Sequence, residues 1–206
     1  MTDTDTPLLT DRFTEVTTYA LDKHRSQIRK GSGVPYASHV LAVTAIVLEM
    51  GGTEDEAIAA LLHDVVEDQG GAGAEAEIRA QFGDHVADMV RANSDTDQIP
   101  KPPWRARKEA YIAGVATKDI GAVRVSIADK LHNARMIVLD HRSVGDELWG
   151  RFSADGPQTL WYYESLLEAF AARRDELGSG ADAALQELGR TVAEMRAIVT
   201  DRPEAI

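Results

Sequence analysis

Apolar positions recur at intervals of three and four along most of the chain, the spacing of a helix face, and no segment makes a convincing strand. Over residues 11 to about 30, Phe13, Val16, Ala20, His24 and Ile28 keep this spacing, and Gly31, Ser32, Gly33 and Pro35 end it. "SHVLAVTAIVLEM" (38–50) is too thickly aliphatic for a surface helix and predicts a largely buried one, stopped by Gly51 and Gly52. Thr53 with Glu56 three residues later makes a capping-box pattern that opens a second helix running to about Glu67, so the two form a hairpin. "GGAGAEAE" (70–77) reads as a small-residue loop before a short helix with Phe82, Val86, Met89 and Val90 on one side. Three of the seven prolines fall in "SDTDQIPKPPW" (94–104), which is expected to be irregular. Helical periodicity resumes in "RKEAYIAGVATKD" and in "AVRVSIADKLHNARMIVLDH", where Ile127, Leu131, Ala134 and Val138 form a stripe, and two more helices, "GPQTLWYYESLLEAFAARR" and "ADAALQELGRTVAEMRAIV", complete the chain. No repeat or linker divides it. The expected class is all-α, with residues 1–206 forming a single domain.

Composition narrows the chemistry. The 206 residues, 44% hydrophobic and 27% charged, suffice for one sizeable core. There is no cysteine, so any transition-metal site must use His, Asp and Glu, and the composition fits a reducing compartment. The start, "MTDTDTPLLTDRF", lacks the basic-then-apolar order of a secretory signal, and no run approaches the roughly 18 apolar residues of a membrane span. A cytoplasmic protein is expected. The net charge of −12 disfavours long nucleic acid as a partner. Against it, "KHRSQIRK" (23–30) concentrates Lys23, Arg25, Arg29 and Lys30, which suits either a small anionic ligand or a solvated helix end.

The hairpin gives the acidic and imidazole residues a common address. His39 lies about 12 residues before the Gly-Gly turn and His63 about 10 after it, so at ~1.5 Å per residue both sit some 15 to 18 Å from the turn and can meet. Two imidazoles with the Asp64 carboxylate suit a first-row divalent ion better than calcium or magnesium. Asp129 is the candidate fourth ligand, because "SIADKLHN" is apolar on both sides and an acid buried there needs a partner. Glu67 is four residues from His63 and Asp68 four from Asp64, which keeps both on the same face. A carboxylate beside a metal site can orient a water, accept its proton and pass it to a leaving oxygen. His24, His85, His132 and His141 are not expected to bind metal, and the Trp161-Tyr162-Tyr163 cluster reads as core.

"KHRSQIRKGSGVPYASHV", "AALLHDVVED", "FGDHVADMV" and "SIADKLHNAR" together resemble, in order and approximate spacing, the HD-domain hydrolase module of RelA/SpoT homologues. The match covers roughly residues 10–175, leaving a C-terminal helix at about 181–200, and with no synthetase region following it the chain looks like a stand-alone small alarmone hydrolase. The resemblance implies an HD-domain helical bundle and a manganese-dependent 3′-pyrophosphohydrolase that removes pyrophosphate from (p)ppGpp to leave GDP or GTP. It implies one Mn²⁺ held by His39, His63, Asp64 and Asp129, with Glu67 and Asp68 as the catalytic acidic pair. Arg29, Lys30 and Asn133 correspond to nucleotide-contacting residues, and Tyr163, more loosely, to a pocket tyrosine. The Pro-rich 94–104 segment and "DHRSVGDELWGRFSADGPQTLWYY" depart from the commonest family pattern and flank the expected pocket, so adenine alarmones, (p)ppApp, stand beside the guanine ones. Another HD phosphohydrolase acting on nucleoside monophosphates or cyclic nucleotides, and a non-catalytic alarmone sensor, are the alternatives. A homo-oligomer is compatible with all three.

Overall fold

The computed structural model describes residues 8–96 and 100–200 and is helical, with no strand among the described residues. Part of the Pro-rich segment, residues 97–99, lies outside them, as do the first seven residues. The helices are α1 (Asp11–Lys23), α2 (Ala37–Glu49), α3 (Glu54–Leu62), α4 (Val65–Gln69), α5 (Gly71–Phe82), α6 (Asp84–Asn93), α7 (Trp104–Gly114), α8 (Ile120–Val144), α9 (Gly156–Ala171), α10 (Arg174–Leu177) and α11 (Ser179–Thr200). No helix is long and apolar enough to cross a membrane among the described residues.

The α2–α3 hairpin forms where the glycines and the cap predict it. Gly51, at φ +75°, takes the left-handed conformation that ends α2. Thr53 Oγ1 accepts from Glu56 N at 3.3 Å while Glu56 Oε2 accepts from Thr53 N at 2.8 Å, closing the capping box. Glu56 is itself buried, and its second oxygen accepts from Arg124 Nη1 at 3.0 Å, so the start of α3 is tied to α8. α8 is the central strut: at ~1.5 Å per residue its 25 residues span about 37 Å. Ile127, Leu131, Ala134 and Val138 are all buried, and the helix packs on α2, α3, α6 and α11.

Three sequence expectations need correction. α1 stops at Lys23 rather than near residue 30, because the chain turns back and its backbone groups pair across the turn: Arg29 N donates to Val34 O and Tyr36 N to Gln27 O, with an isolated antiparallel bridge between Ile28 and Pro35. The helix expected to run from Thr53 to Glu67 is interrupted by a turn at His63 and Asp64, with Asp64 at φ −100°, ψ −3°. "GGAGAEAE" is not a loop but the first part of α5, where burial of Ala74 and Ile78 outweighs the poor helix propensity of glycine.

Candidate metal site and the acidic pair beside it

α2, the α3–α4 turn and α8 deliver four side chains to one point. His39 projects from the first turn of α2, His63 and Asp64 from the turn after α3, and Asp129 from the middle of α8. His39 Nε2 lies 3.2 Å from His63 Nε2 and 3.2 Å from Asp129 Oδ1, and His63 Nε2 lies 3.6 Å from that oxygen. Asp64 Oδ2 stands 3.0 Å from His63 Nε2 and 3.4 Å from His39 Nε2. Ligand atoms of His39, His63 and Asp129 all fall within 4.8 Å of one another, and these three residues are buried.

The surroundings aim these donors inward. His63 Nδ1 lies 2.8 Å from the Ala60 carbonyl, which can only accept, so Nδ1 carries the hydrogen and neutral His63 presents a lone pair on Nε2. His39 Nδ1 lies 2.9 Å from His132 Nδ1. Burial, reinforced by the neighbouring His39 and Arg29, pushes His132 down to about 4, so His132 is neutral at pH 7; in the tautomer whose Nδ1 accepts from His39 Nδ1, His39 presents Nε2 to the site. Asp129 Oδ2 is bound by Lys130 Nζ at 2.6 Å and Oδ1 by Asn133 Nδ2 at 2.6 Å. Tyr36 donates to Asp64 Oδ2.

Burial opposes charge at this point, yet attraction between the groups outweighs it. His63 is held well above the ordinary imidazole range by Asp64 and Asp129, and Asp64 well below the carboxylate range by His63 and His39. Asp129 is also held low, chiefly by Lys130. Two neutral imidazoles and two carboxylates carry a net −2, which a divalent cation would neutralise. Metal–ligand bonds of about 2.0–2.2 Å place neighbouring ligands of an octahedron roughly 3 Å apart, in line with the separations seen between these atoms. The donor set fits a divalent metal.

The other sequence candidates divide into two flanks. On α4, Glu67 Oε1 accepts from Lys101 Nζ at 2.8 Å and Oε2 from Asp95 N at 3.2 Å, so the Pro-rich segment grips this carboxylate. Asp95 is in turn paired with Arg107 and Lys108. Asp68 Oδ2 accepts from Gln27 Nε2 at 2.8 Å, and burial together with the Asp64 charge moves Asp68 up from the usual carboxylate range. On the opposite flank Arg29 Nη2 donates to Asn133 Oδ1 at 3.2 Å, which links it through Asn133 to Asp129. Tyr163 is buried within electrostatic reach of Lys130, Asp129 and Arg29, and burial pushes its hydroxyl up.

The positive segment does not act as one patch. Lys23 turns to Glu77 at 2.7 Å and Arg25 pairs with Asp22 at 3.2 Å, leaving Arg29 beside the site and Lys30 exposed. Sequence reasoning missed Tyr36, Lys130, His132 and Gln27. Lys130 and His132 lie next to and three residues after Asp129, and Tyr36 three before His39, so proximity in sequence was the available signal.

A helical bundle that gathers two imidazoles and two carboxylates at one buried point is, by class, a protein with a divalent-cation site. The chain belongs to the HD-domain family, whose pattern it matches over residues 17–148. It is 37% identical over 127 residues to the guanosine-3′,5′-bis(diphosphate) 3′-pyrophosphohydrolase MESH1 of Drosophila melanogaster, covering 60% of this chain and 68% of that one. It is 35% identical over 124 residues to the guanosine-3′,5′-bis(diphosphate) 3′-pyrophosphohydrolase of Haemophilus influenzae, covering 57% of this chain but 17% of that relative's length. In three dimensions it resembles a metazoan orthologue of SpoT that hydrolyses ppGpp, with a TM-score of 0.71 at 25% identity over 90% of this chain and 97% of that one. A crystal structure of a Listeria monocytogenes EGD-e protein gives a TM-score of 0.63 at 31% identity over 75% of this chain and 96% of that one.

Proposed function

We propose that this protein is a metal-dependent 3′-pyrophosphohydrolase of alarmone nucleotides, acting in the cytoplasm on (p)ppGpp or (p)ppApp and releasing pyrophosphate with a nucleoside di- or triphosphate. The observation that carries the reading is the convergence of His39, His63, Asp64 and Asp129 between an acidic pair on α4 and the Arg29–Asn133 link. The activities named for the Drosophila and Haemophilus relatives support the substrate class. The cysteine-free composition supports a reducing compartment.

His39, His63, Asp64 and Asp129 would hold one Mn²⁺, which when bound supplies Lewis-acid activation and neutralises phosphoryl charge. Glu67 accepts the proton of the attacking water, and Asp68 orients that water and returns a proton to the departing 3′ oxygen. The raised Asp68 carboxyl suits a group that holds a proton for donation. The balance is one water consumed, one bond from phosphorus to the 3′ oxygen broken and one new bond from phosphorus to the water oxygen. Arg29 faces the phosphate charge as a two-pronged donor, with Lys30 as a point charge beside it. Asn133 and Tyr163 line the nucleotide side.

The test is incubation of purified protein with Mn²⁺ and, separately, ppGpp, pppGpp, ppApp and pppApp, with pyrophosphate and nucleotide products measured. Pyrophosphate release is expected from at least one. Release from none, or orthophosphate as the sole phosphate product, refutes the reading.

A further inference from the structure

Gln27, in the turn after α1, is the centre of a polar cluster outside the cation site. Its Oε1 lies 2.7 Å from His24 Nδ1 and also accepts from Gln69 Nε2, while its own Nε2 donates to Asp68 Oδ2 at 2.8 Å. An amide oxygen only accepts and an amide nitrogen only donates, so the Asp68 carboxylate takes the N–H end and Oε1 faces Gln69 Nε2 and His24 Nδ1, the ring nitrogen that then carries the hydrogen. The backbone is pinned as well: Gln27 N donates to His24 O at 3.0 Å and Tyr36 N to Gln27 O at 2.9 Å. His24 is 2% exposed, and its ring packs on Tyr36 at 5.1 Å between centroids. Tyr36 in turn donates to Asp64.

Glu67 has a different set of partners, Lys101 and Asp95 N on the far side of α4. The two neighbouring carboxylates are therefore placed by separate parts of the chain, and one can be released without the other. We infer that Gln27, oriented by His24, is a positioning residue that holds the Asp68 carboxylate for its part in the reaction. This rests on the role assigned to Asp68 in the proposed pyrophosphohydrolase.

The experiment compares Gln27→Met, Gln27→Glu, His24→Leu and His24→Asn by steady-state hydrolysis of ppGpp or ppApp, Mn²⁺ calorimetry and thermal melting. Gln27→Glu keeps the volume and removes the donor, so it serves if the Met variant fails to fold. Asparagine restores an N–H donor where His24 Nδ1 stood, and leucine does not. Loss of kcat by about 10- to 100-fold is expected for the Gln27 variants and His24→Leu, with KM and Mn²⁺ affinity within about twofold of wild type and most of kcat recovered in His24→Asn. Unchanged kcat in the Gln27 variants, an equal loss of Mn²⁺ affinity, or no difference between His24→Asn and His24→Leu overturns the inference. If the wild-type protein releases no pyrophosphate, the functional reading fails by itself. A crystal structure of Gln27→Met then decides the positioning: a displaced Asp68 carboxylate upholds it, and an unmoved one refutes it.

Discussion

His39 Nε2 and His63 Nε2 face each other across 3.2 Å, with Asp64 and Asp129 oxygens beside both. Each ring has its other nitrogen committed, His63 to the Ala60 carbonyl and His39 to His132. With both rings neutral two lone pairs meet here and repel; in the metal-free protein a proton on His63, held by Asp64 and Asp129, relieves this, and a bound cation would take that proton's place. The four side chains thus place positive charge, proton or metal, at one point.

Metal should accordingly stabilise the protein. At about 100 times its dissociation constant, Mn²⁺ adds about 2.7 kcal/mol, which for a chain of this size is roughly 5–10 °C in Tm. Melting with chelator and with Mn²⁺ measures it. The increment should vanish in His39→Ala, His63→Ala and Asp129→Asn, and a full increment in any of these removes that residue from the ligand set.

The stabilisation should depend on pH in a definite direction. In the metal-free protein His63 has a raised folded value, because Asp64 and Asp129 outweigh its burial. Its contribution to stability is complete below about pH 6.5 and disappears as pH rises through the folded value. Asp129 has a depressed value, held down by Lys130 and the imidazoles against its burial. Its contribution is present above about pH 4 and is lost as pH falls through the folded value. A bound cation requires neutral His63, so the Mn²⁺-induced gain in Tm should grow from pH 6 to pH 8. A gain that shrinks over that range would contradict the assignment.

Glu67→Gln keeps the shape of the side chain and removes its basicity. Turnover should drop by ~100-fold or more while calorimetry shows Mn²⁺ still bound. Full activity would show that another group accepts the proton.

Arg29 and Asn133 should separate in their effects. Arg29 touches the site through Asn133, so Arg29→Ala should raise KM about tenfold or more and leave Mn²⁺ affinity nearly intact. Asn133 also donates to Asp129 Oδ1 at 2.6 Å, so Asn133→Ala should weaken both substrate and Mn²⁺ binding. Identical profiles for the two variants would refute this division.

α11 meets the end of α2 at Gly180, where an added Cβ would collide with the Met50 carbonyl oxygen. The clash is with backbone and cannot be relieved by a rotamer. Gly180→Ala should cost about 1–3 kcal/mol, read as a Tm lowered by several degrees, and an unchanged Tm would mean that α11 can slide.

Most of the helices were legible in the sequence because burial on one face imposes a period of 3.6 on a chain. The period carries no information about where the backbone changes partners. Val16 and Ala20 on α1 and His24 at its C-cap are buried as their spacing implies, but Ile28 continues the same spacing while 58% exposed, within the turn that pairs residues 27–29 with 34–36. Leu61, Leu62, Val65 and Val66 are all buried, so the interruption at His63 and Asp64 leaves no mark in the apolar pattern.

By itself the sequence determined the all-helical class and the α2–α3 hairpin with its cap, and it brought His39, His63 and Asp64 together as candidates for one site. Local propensity, a glycine turn and counted rise per residue suffice for those. Only the tertiary structure decided that α8 brings Asp129 to the hairpin, that Lys130, His132 and Tyr36 orient the ligands, and that the Pro-rich segment and the α1–α2 turn each take one of the two acidic side chains. These are contacts between residues tens of positions apart. They depend on how helices pack and on which buried polar atoms need partners, neither of which a one-dimensional pattern records.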